Sequence, residues 1–185
     1  AYLRAADKRG IQFALMWANE LRDPERPQDF YAMVRHWIDR YLAHPSYLRI
    51  DGRPAVFVML AEPLDKRARA LGMSSGVLWE RAQVMARSAG LPGLYVLGGI
   101  WPLAPLALGQ GKAAGYSAYF AYNLHSGPGN RVGGESRASR SYLELDRAYR
   151  DTWQWFMRHA DLPYVPPTTA GWDRRPWGGS EDPAH

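Results

Sequence analysis

Apolar residues in this chain fall into short, nearly continuous runs separated by longer stretches with helical spacing. The runs cover residues 11–17, 55–60, 94–97, 117–121 and 164–169. Runs of this length and composition are typical of strands buried on both faces, as in a parallel sheet covered by helices. The pattern therefore predicts five core strands.

Between these runs, apolar residues recur at intervals of three and four. This spacing predicts amphipathic helices over residues 28–43, 75–89 and 141–159. Asp51-Gly52 stands between two apolar runs and predicts a two-residue hairpin. The Gly-, Ser- and Arg-rich residues 126–139 are expected to form an exposed loop.

Alternating strands and helices favour parallel strands joined by right-handed helical crossovers. Two architectures fit this pattern, an open doubly wound sheet and a (β/α)8 barrel. No Gly-x-Gly-x-x-Gly or Gly-x-x-x-x-Gly-Lys motif occurs, so a nucleotide-binding sheet loses its main support. Polar residues follow the predicted strands, where barrel enzymes carry their chemistry. We therefore predict an α/β fold with a parallel, TIM-barrel-like sheet.

A complete barrel of this kind needs eight strands and about 250 residues. The chain has 185 residues, so we expect an incomplete barrel with about five of the eight βα units. Residues 1–170 would form this partial domain, and 171–185 would form a polar, Pro- and Gly-rich tail. The rest of the barrel is expected in the parent chain.

Composition and charge limit the classes of partner that are expected for this chain. The formal charge is +5, but the basic residues are scattered and form no block of five like charges, so no nucleic-acid partner is expected. No apolar run approaches the roughly 20 residues that span a bilayer, so no membrane span is predicted. The absence of cysteine excludes disulfides and thiolate chemistry. The compartment stays open.

The candidate site consists of polar and aromatic residues at the predicted strand ends. Because the carboxyl ends of parallel strands meet at one edge, we expect these side chains to converge. The 8 Trp and 11 Tyr of the chain add aromatic rings that stack on sugars or fill cores. The strand-end residues are Trp17, Asn19, Glu20, Glu62, Trp101, Tyr122, Asn123, His125, Trp172, Asp173 and Arg175.

Carboxylates among amides and aromatic rings suit glycoside chemistry, in which paired carboxyl groups act as acid, base or nucleophile. No two His residues lie two to four positions apart, and no Gly-x-Ser-x-Gly motif occurs, so neither a metal nor a cofactor is expected. The candidate catalytic carboxylates are Glu20 and Asp173. The candidate substrate-binding residues are Trp17, Asn19, Glu62, Trp101, Tyr122, Asn123, Trp172 and Arg175.

Several of these residues have an alternative structural role. Glu20 is also explained as a loop or helix-capping carboxylate, and Glu62, before Pro63, as a cap of the next segment. Trp17 is also explained as a core residue. Asp173 lies beside two arginines and is also explained as part of a surface ion pair.

Four sequence blocks resemble the glycoside hydrolase family 99-like domain. They are 13–20 (Phe-Ala-Leu-Met-Trp-Ala-Asn-Glu), 47–57 (Tyr-Leu-Arg-Ile-Asp-Gly-Arg-Pro-Ala-Val-Phe), 90–95 (Gly-Leu-Pro-Gly-Leu-Tyr) and 171–173 (Gly-Trp-Asp). The first two are the more specific. The resemblance implies a (β/α)8 barrel acting on mannose-containing or other polysaccharides by retaining endo-cleavage without a metal. The five strands would be the third to seventh of that barrel.

By this resemblance, Trp17, Asn19, Glu20, Trp172 and Asp173 correspond to substrate-pocket positions. Two departures from the family pattern matter. The family's catalytic Glu-x-x-Glu pair has no counterpart in this sequence, and Leu-Arg-Asp follows Glu20 where the family has Trp and basic residues. The catalytic pair is therefore expected outside this chain.

Three functions stay open at this point. The leading one is a glycoside hydrolase domain acting on a mannose-containing or bacterial polysaccharide. The second is a glycan-binding or polysaccharide-biosynthesis protein that keeps the barrel pocket without hydrolysis. The third is an unrelated parallel α/β enzyme, which would require an open sheet.

Overall fold

The computed structural model describes residues 9–19, 24–100, 110–121, 131–132, 135–136 and 141–168. The strands are β1 (Leu15–Trp17), β2 (Arg49–Ile50), β3 (Arg53–Val58), β4 (Tyr95–Gly99), β5 (Ala118–Phe120), β6 (Arg131–Val132), β7 (Glu135–Ser136) and β8 (Tyr164–Val165). The helices are α1 (Pro27–Trp37), which continues as a π-helical turn over Ile38–Leu42, α2 (Ala61–Ala70), α3 (Ser75–Ser88) and α4 (Tyr142–His159).

Five strands form a parallel sheet whose spatial order follows the chain. The order is β1-β3-β4-β5-β8, and each neighbouring pair is parallel. This confirms the predicted α/β class and the predicted parallel order of the five core strands. Each strand is shorter than or shifted from its predicted range by a few residues, which is the usual uncertainty at element ends.

The predicted hairpin at Asp51-Gly52 is confirmed. β2 pairs with β3 in antiparallel register, and both turn residues have positive φ, 51° at Asp51 and 74° at Gly52. That combination is the type I′ turn, whose twist matches paired strands. In the predicted loop 126–139, β6 and β7 form a short antiparallel ladder, and the other residues of that range lie outside the described part of the chain.

All four described helices pack on one face of the sheet, which we call the helix face. Its core joins Phe30 and Val34 of α1, Leu64 of α2, Trp79 of α3 and Phe156 of α4, all at most 1% exposed. The sheet contributes alternate residues, including Val56, Val96 and Tyr119. The amphipathic spacing of the predicted helices is thus explained by one shared core.

The other face of the sheet, which we call the opposite face, carries a separate apolar cluster. Its members are Leu48, Ile50, Ala55, Phe57, Tyr95, Leu97, Ala118 and Phe120, and no residue of a described helix belongs to it. The rings of Phe57 and Phe120 lie 5.1 Å apart, although their strands are separated by β4. Leu97 of the intervening strand belongs to the same cluster and is fully buried.

These two faces separate the architectures left open by the sequence. A doubly wound sheet reverses its strand order at a switch point and carries helices on both faces. In the described part of the chain, the strand order does not reverse and the helices occupy one face only. The structure is therefore a singly wound α/β sheet, compatible with part of an α/β barrel.

Two sequence predictions need correction. Helix α2 was not predicted, because its charged residues leave only Ala61, Leu64 and Ala68 buried. Pro63 occupies the first turn, where a missing N–H costs no helical hydrogen bond. In β1, Met16 is 42% exposed, so this strand is not buried on both faces.

None of the helices in the described ranges is both long and apolar enough to cross a membrane.

Candidate functional site

The carboxyl ends of the five parallel strands lie along one edge of the sheet, which we call the carboxyl edge. Its described residues follow the strands directly: Ala18 and Asn19 after β1, Met59 to Glu62 after β3, Ile100 after β4 and Ala121 after β5. The hydrogen bonds from Met59 N–H to Trp17 O at 2.9 Å and from Ile100 N–H to Phe120 O at 3.0 Å extend the strand pairing to this edge.

Asn19 lies at the carboxyl edge, as predicted, and is 2% exposed. Its Nδ2 donates to the carbonyl oxygen of Leu60 at 2.8 Å, and its Oδ1 accepts from the Leu60 N–H at 2.9 Å. The side-chain amide thus bonds both backbone groups of one residue on the neighbouring connection. Its contacts are to the protein's own backbone.

Trp17 projects to the helix face. Its ring lies 6.0 Å from the ring of Phe30 and 6.1 Å from that of Trp37, both on α1. The ring is half-buried and belongs to the helix-face core, so the structure gives it a packing role. Its predicted role in substrate binding stays a prediction.

Glu62 lies in the first turn of α2, directly after β3. Its carboxylate pairs with Lys66 of the next turn at 2.8 Å, and 34% of its side chain is exposed. A carboxylate near a helix N-terminus is favoured by the helix dipole. Glu62 is the single acidic residue among the described residues of the carboxyl edge.

The remaining predicted site residues lie outside the described part of the chain. The structure therefore brings Asn19 and Glu62 to the carboxyl edge, and the predicted convergence of the others is not tested. These residues are Glu20, Trp101, Tyr122, Asn123, Trp172, Asp173 and Arg175, together with His125.

A buried polar cluster behind the carboxyl edge was not found from the sequence. Asp65 of α2 faces Ser75 and Tyr116, and its Oδ1 is buried without a hydrogen-bond partner in the described part of the structure. The Ser75 hydroxyl donates instead to the Ala114 carbonyl at 3.1 Å. Asp65 belongs to the run Asp-Lys-Arg-Ala-Arg, which looks like a solvated helix surface, so only the packing of α2 reveals its burial.

Burial raises the pKa of Asp65 above the usual value of an aspartate, and Ser75 and Arg69 offset this only in part. Burial also raises the pKa of Tyr116 well above its usual value, and the neighbouring Asp65 adds to the effect. Both shifts favour the neutral form of the group. The cluster therefore combines two acids whose pKa values are both raised by burial.

Tyr116 has room for its ring because β4 carries Gly98 at that position. A Cβ on Gly98 would approach the ring carbons of Tyr116 to 3.0–3.2 Å. The Tyr116 hydroxyl lies 3.5 Å from the carbonyl oxygen of Ala61, the first residue of α2. Gly98 thus serves close packing on the helix face.

A shallow groove with a volume of about 360 Å³ lies beside α3, away from the predicted site residues. None of the sequence-predicted site residues lines it. Its lining residues are Ser74, Gly76, Val77, Trp79, Glu80, Gln83, Lys112, Ala113 and Gly115.

The described residues contain no group of three or more His, Asp or Glu side chains placed to hold a metal ion. Comparison with protein-family models, with curated proteins and with solved structures gives no match to this chain.

Proposed function

We propose that this chain forms part of a (β/α)8 barrel of the glycoside hydrolase family 99-like type, which binds a mannose-containing or bacterial polysaccharide at the carboxyl edge. The observation that carries the proposal is the singly wound parallel sheet with all described helices on one face. In such barrels the site is built from the loops at the carboxyl ends of the strands. The strand ends of this chain carry the amide, carboxylate and aromatic residues suited to sugars.

The barrel proposal also agrees with the pattern of exposure on the opposite face. Leu97 of the central strand β4 is fully buried, whereas Met16 and Val165 on the outer strands are each 42% exposed. Further strands beside β1 and β8 would cover both residues. In the proposed barrel, the opposite face is the interior and its apolar cluster is part of the barrel core.

A specific observation favours the second candidate, a glycan-binding protein without hydrolysis. A retaining glycosidase needs two carboxyl groups about 5 Å apart. Glu62, the single acidic residue of the described carboxyl edge, is paired with Lys66. The sequence also lacks the Glu-x-x-Glu pair of the resembling family. The two candidates share the pocket and differ in the chemistry.

The test is to offer α-linked mannooligosaccharides to the full-length protein and to measure both affinity and cleavage. Cleavage with retained anomeric configuration, followed by NMR, would support the hydrolase, and binding without cleavage would support the glycan-binding protein. If the protein neither binds nor cleaves these oligosaccharides, the carbohydrate proposal is contradicted.

The site assignment is tested by Glu20→Gln in the same protein. We expect turnover or glycan affinity to fall more than tenfold, about 1.4 kcal/mol, with little change in the melting temperature. Glu80→Gln makes the same chemical change on the exposed surface of α3 and should have no effect. Equal behaviour of the two variants would remove Glu20 from the site.

A further inference from the structure

The two hydrogen bonds of Asn19 join the end of β1 to the start of α2. Leu60, whose carbonyl accepts one bond and whose N–H donates the other, precedes the first turn of α2. It has extended backbone angles of φ −132° and ψ 110° and no side-chain cap. Its backbone is therefore held from outside the helix. The amide of Asn19 acts on Leu60 as a neighbouring strand would, donating to the carbonyl and accepting from the N–H.

Glu62 follows Leu60 by two residues and lies in the first turn of α2. We infer that Asn19 is a positioning residue: it fixes the start of α2, and with it the Glu62 carboxylate, relative to the end of β1. The inference rests on the proposed function for the role of Glu62 in glycan binding. It assigns to Asn19 a role different from the direct substrate contact expected from the sequence.

Burial argues against direct substrate contact by Asn19. A residue that binds sugar hydroxyls must present its polar atoms to the ligand. Asn19 is 2% exposed, and both its Oδ1 and its Nδ2 already bond Leu60. Removing the amide would take away the partner of the half-buried Leu60 N–H and one of the bonds to the Leu60 carbonyl, which shifts the local structure toward opening.

The chain contains a matched control for this clamp. The Gln83 side chain of α3 makes the same pair of bonds with Leu94, donating to its carbonyl at 3.0 Å and accepting from its N–H at 2.7 Å. Leu94 precedes β4, at the opposite end of the strands from the carboxyl edge. Gln83→Ala therefore removes an equivalent clamp without touching α2.

The first experiment measures amide hydrogen exchange in the full-length protein. Asn19→Ala should speed exchange at Leu60 and Ala61 at least tenfold, with Leu94 unchanged, and Gln83→Ala should do the reverse. Unchanged exchange at Leu60 in Asn19→Ala would overturn the inference.

Asn19→Asp gives a second signature that also serves if Asn19→Ala does not fold. A protonated Asp can accept from the Leu60 N–H and donate to the Leu60 carbonyl, whereas an ionised Asp lacks the donor. The ordinary pKa of an aspartate is about 4, and burial favours its neutral form. Lowering the pH from 8 to 4 should therefore bring the exchange rate of Leu60 in this variant closer to the wild-type rate measured at the same pH. A variant-to-wild-type ratio that does not change with pH would contradict the clamp.

The second experiment couples Asn19 to Glu62, with α-linked mannotetraose as the probe. If Asn19 acts through Glu62, adding Asn19→Ala to Glu62→Gln should change the affinity less than threefold, although Asn19→Ala alone lowers it at least fivefold. Gln83→Ala should change the affinity less than twofold in either background. Additive losses from Asn19→Ala and Glu62→Gln would overturn the positioning role. Absence of wild-type binding would contradict the proposed function, and hydrogen exchange would still decide the clamp.

Discussion

At the scale of single residues, the sequence identified the chemical types at the strand ends but could not assign their contacts. Asn19 was predicted at the carboxyl edge and lies there, yet its amide bonds the backbone of Leu60. Sequence spacing shows that a polar residue ends a strand. It does not show whether that residue faces a ligand or a neighbouring backbone group, because this depends on the connection after β3.

The sequence likewise did not reveal the burial of Asp65, which alters the acidity of its carboxyl group. Its pKa is raised by burial, so the folded protein holds it neutral over a pH range in which the unfolded chain ionises it. The stability contributed by this group is fully present below the ordinary aspartate pKa of about 4. It is lost as the pH rises through the raised pKa of the folded state.

We therefore expect Asp65→Asn to stabilise the protein at pH 8, by an amount on the order of 1 kcal/mol, and to have little effect near pH 3.5. Urea unfolding at both pH values measures this. Asp146→Asn is the control, and its effect on the free energy of unfolding should have the opposite sign. The ion pair with Arg150 lowers the pKa of Asp146, so the stability that this pair contributes is lost as the pH falls. If Asp65→Asn destabilises the protein at pH 8, the raised pKa of Asp65 is contradicted.

At the scale of secondary-structure elements, the spacing of apolar residues predicted the helices correctly where a helix buries a continuous apolar stripe. The helices α1, α3 and α4 were predicted to within a few residues for this reason. Helix α2 buries only three small or medium residues, and its remaining surface is charged. Its helical state comes from docking on the sheet and on α3, which local pattern does not report.

The pairing of β1 with β3 has its own anchor, the hydroxyl of Tyr47. It accepts from the N–H of Leu15 at 3.0 Å and donates to the carbonyl of Ala55 at 2.8 Å, and Tyr47 is fully buried. Tyr47→Phe leaves both backbone groups unpaired, so we expect a loss of about 2–3 kcal/mol in the free energy of unfolding at pH 7. Tyr41→Phe, on the π-helical turn, is the control and should change it by less than about 0.5 kcal/mol.

The same variant has a pH signature. Burial raises the pKa of Tyr47 to about 12, above the ordinary tyrosine value of about 10. The stability contributed by the neutral Tyr47 hydroxyl is complete below pH 10. It falls as the pH rises toward 12, by about 1.4 kcal/mol per pH unit. The difference in the free energy of unfolding between wild type and Tyr47→Phe, measured by urea unfolding, should therefore decrease between pH 9 and pH 11. A constant gap would show that the hydroxyl is not held neutral.

At the scale of the whole molecule, the sequence predicted the parallel order of the core strands because consecutive βα units leave few topologies. It could not distinguish a closed barrel from an open sheet, since both use the same local pattern. The distinction lies in the strand order and in which face the helices cover. In the described part of the chain both are those of a singly wound sheet.

Closure of the sheet into a barrel would change the environment of the Met16 side chain. This residue is opposite Phe57 in the register of β1 with β3, which places it on the opposite face at the outer strand. In a closed barrel that face is the packed interior, so Met16 would be surrounded by apolar side chains. In an open sheet it would stay as exposed as it is here, at 42%.

Met16→Asp in the full-length protein therefore tests the architecture. If the barrel closes, an unpaired carboxylate in its interior should lower the free energy of unfolding by more than about 3 kcal/mol or prevent folding. Val77→Asp is the control, because Val77 is 48% exposed in the first turn of α3, where a carboxylate is favoured. That variant should stay within about 0.5 kcal/mol of wild type by urea unfolding. If Met16→Asp is tolerated equally well, the edge of β1 is open to solvent and the sheet does not close.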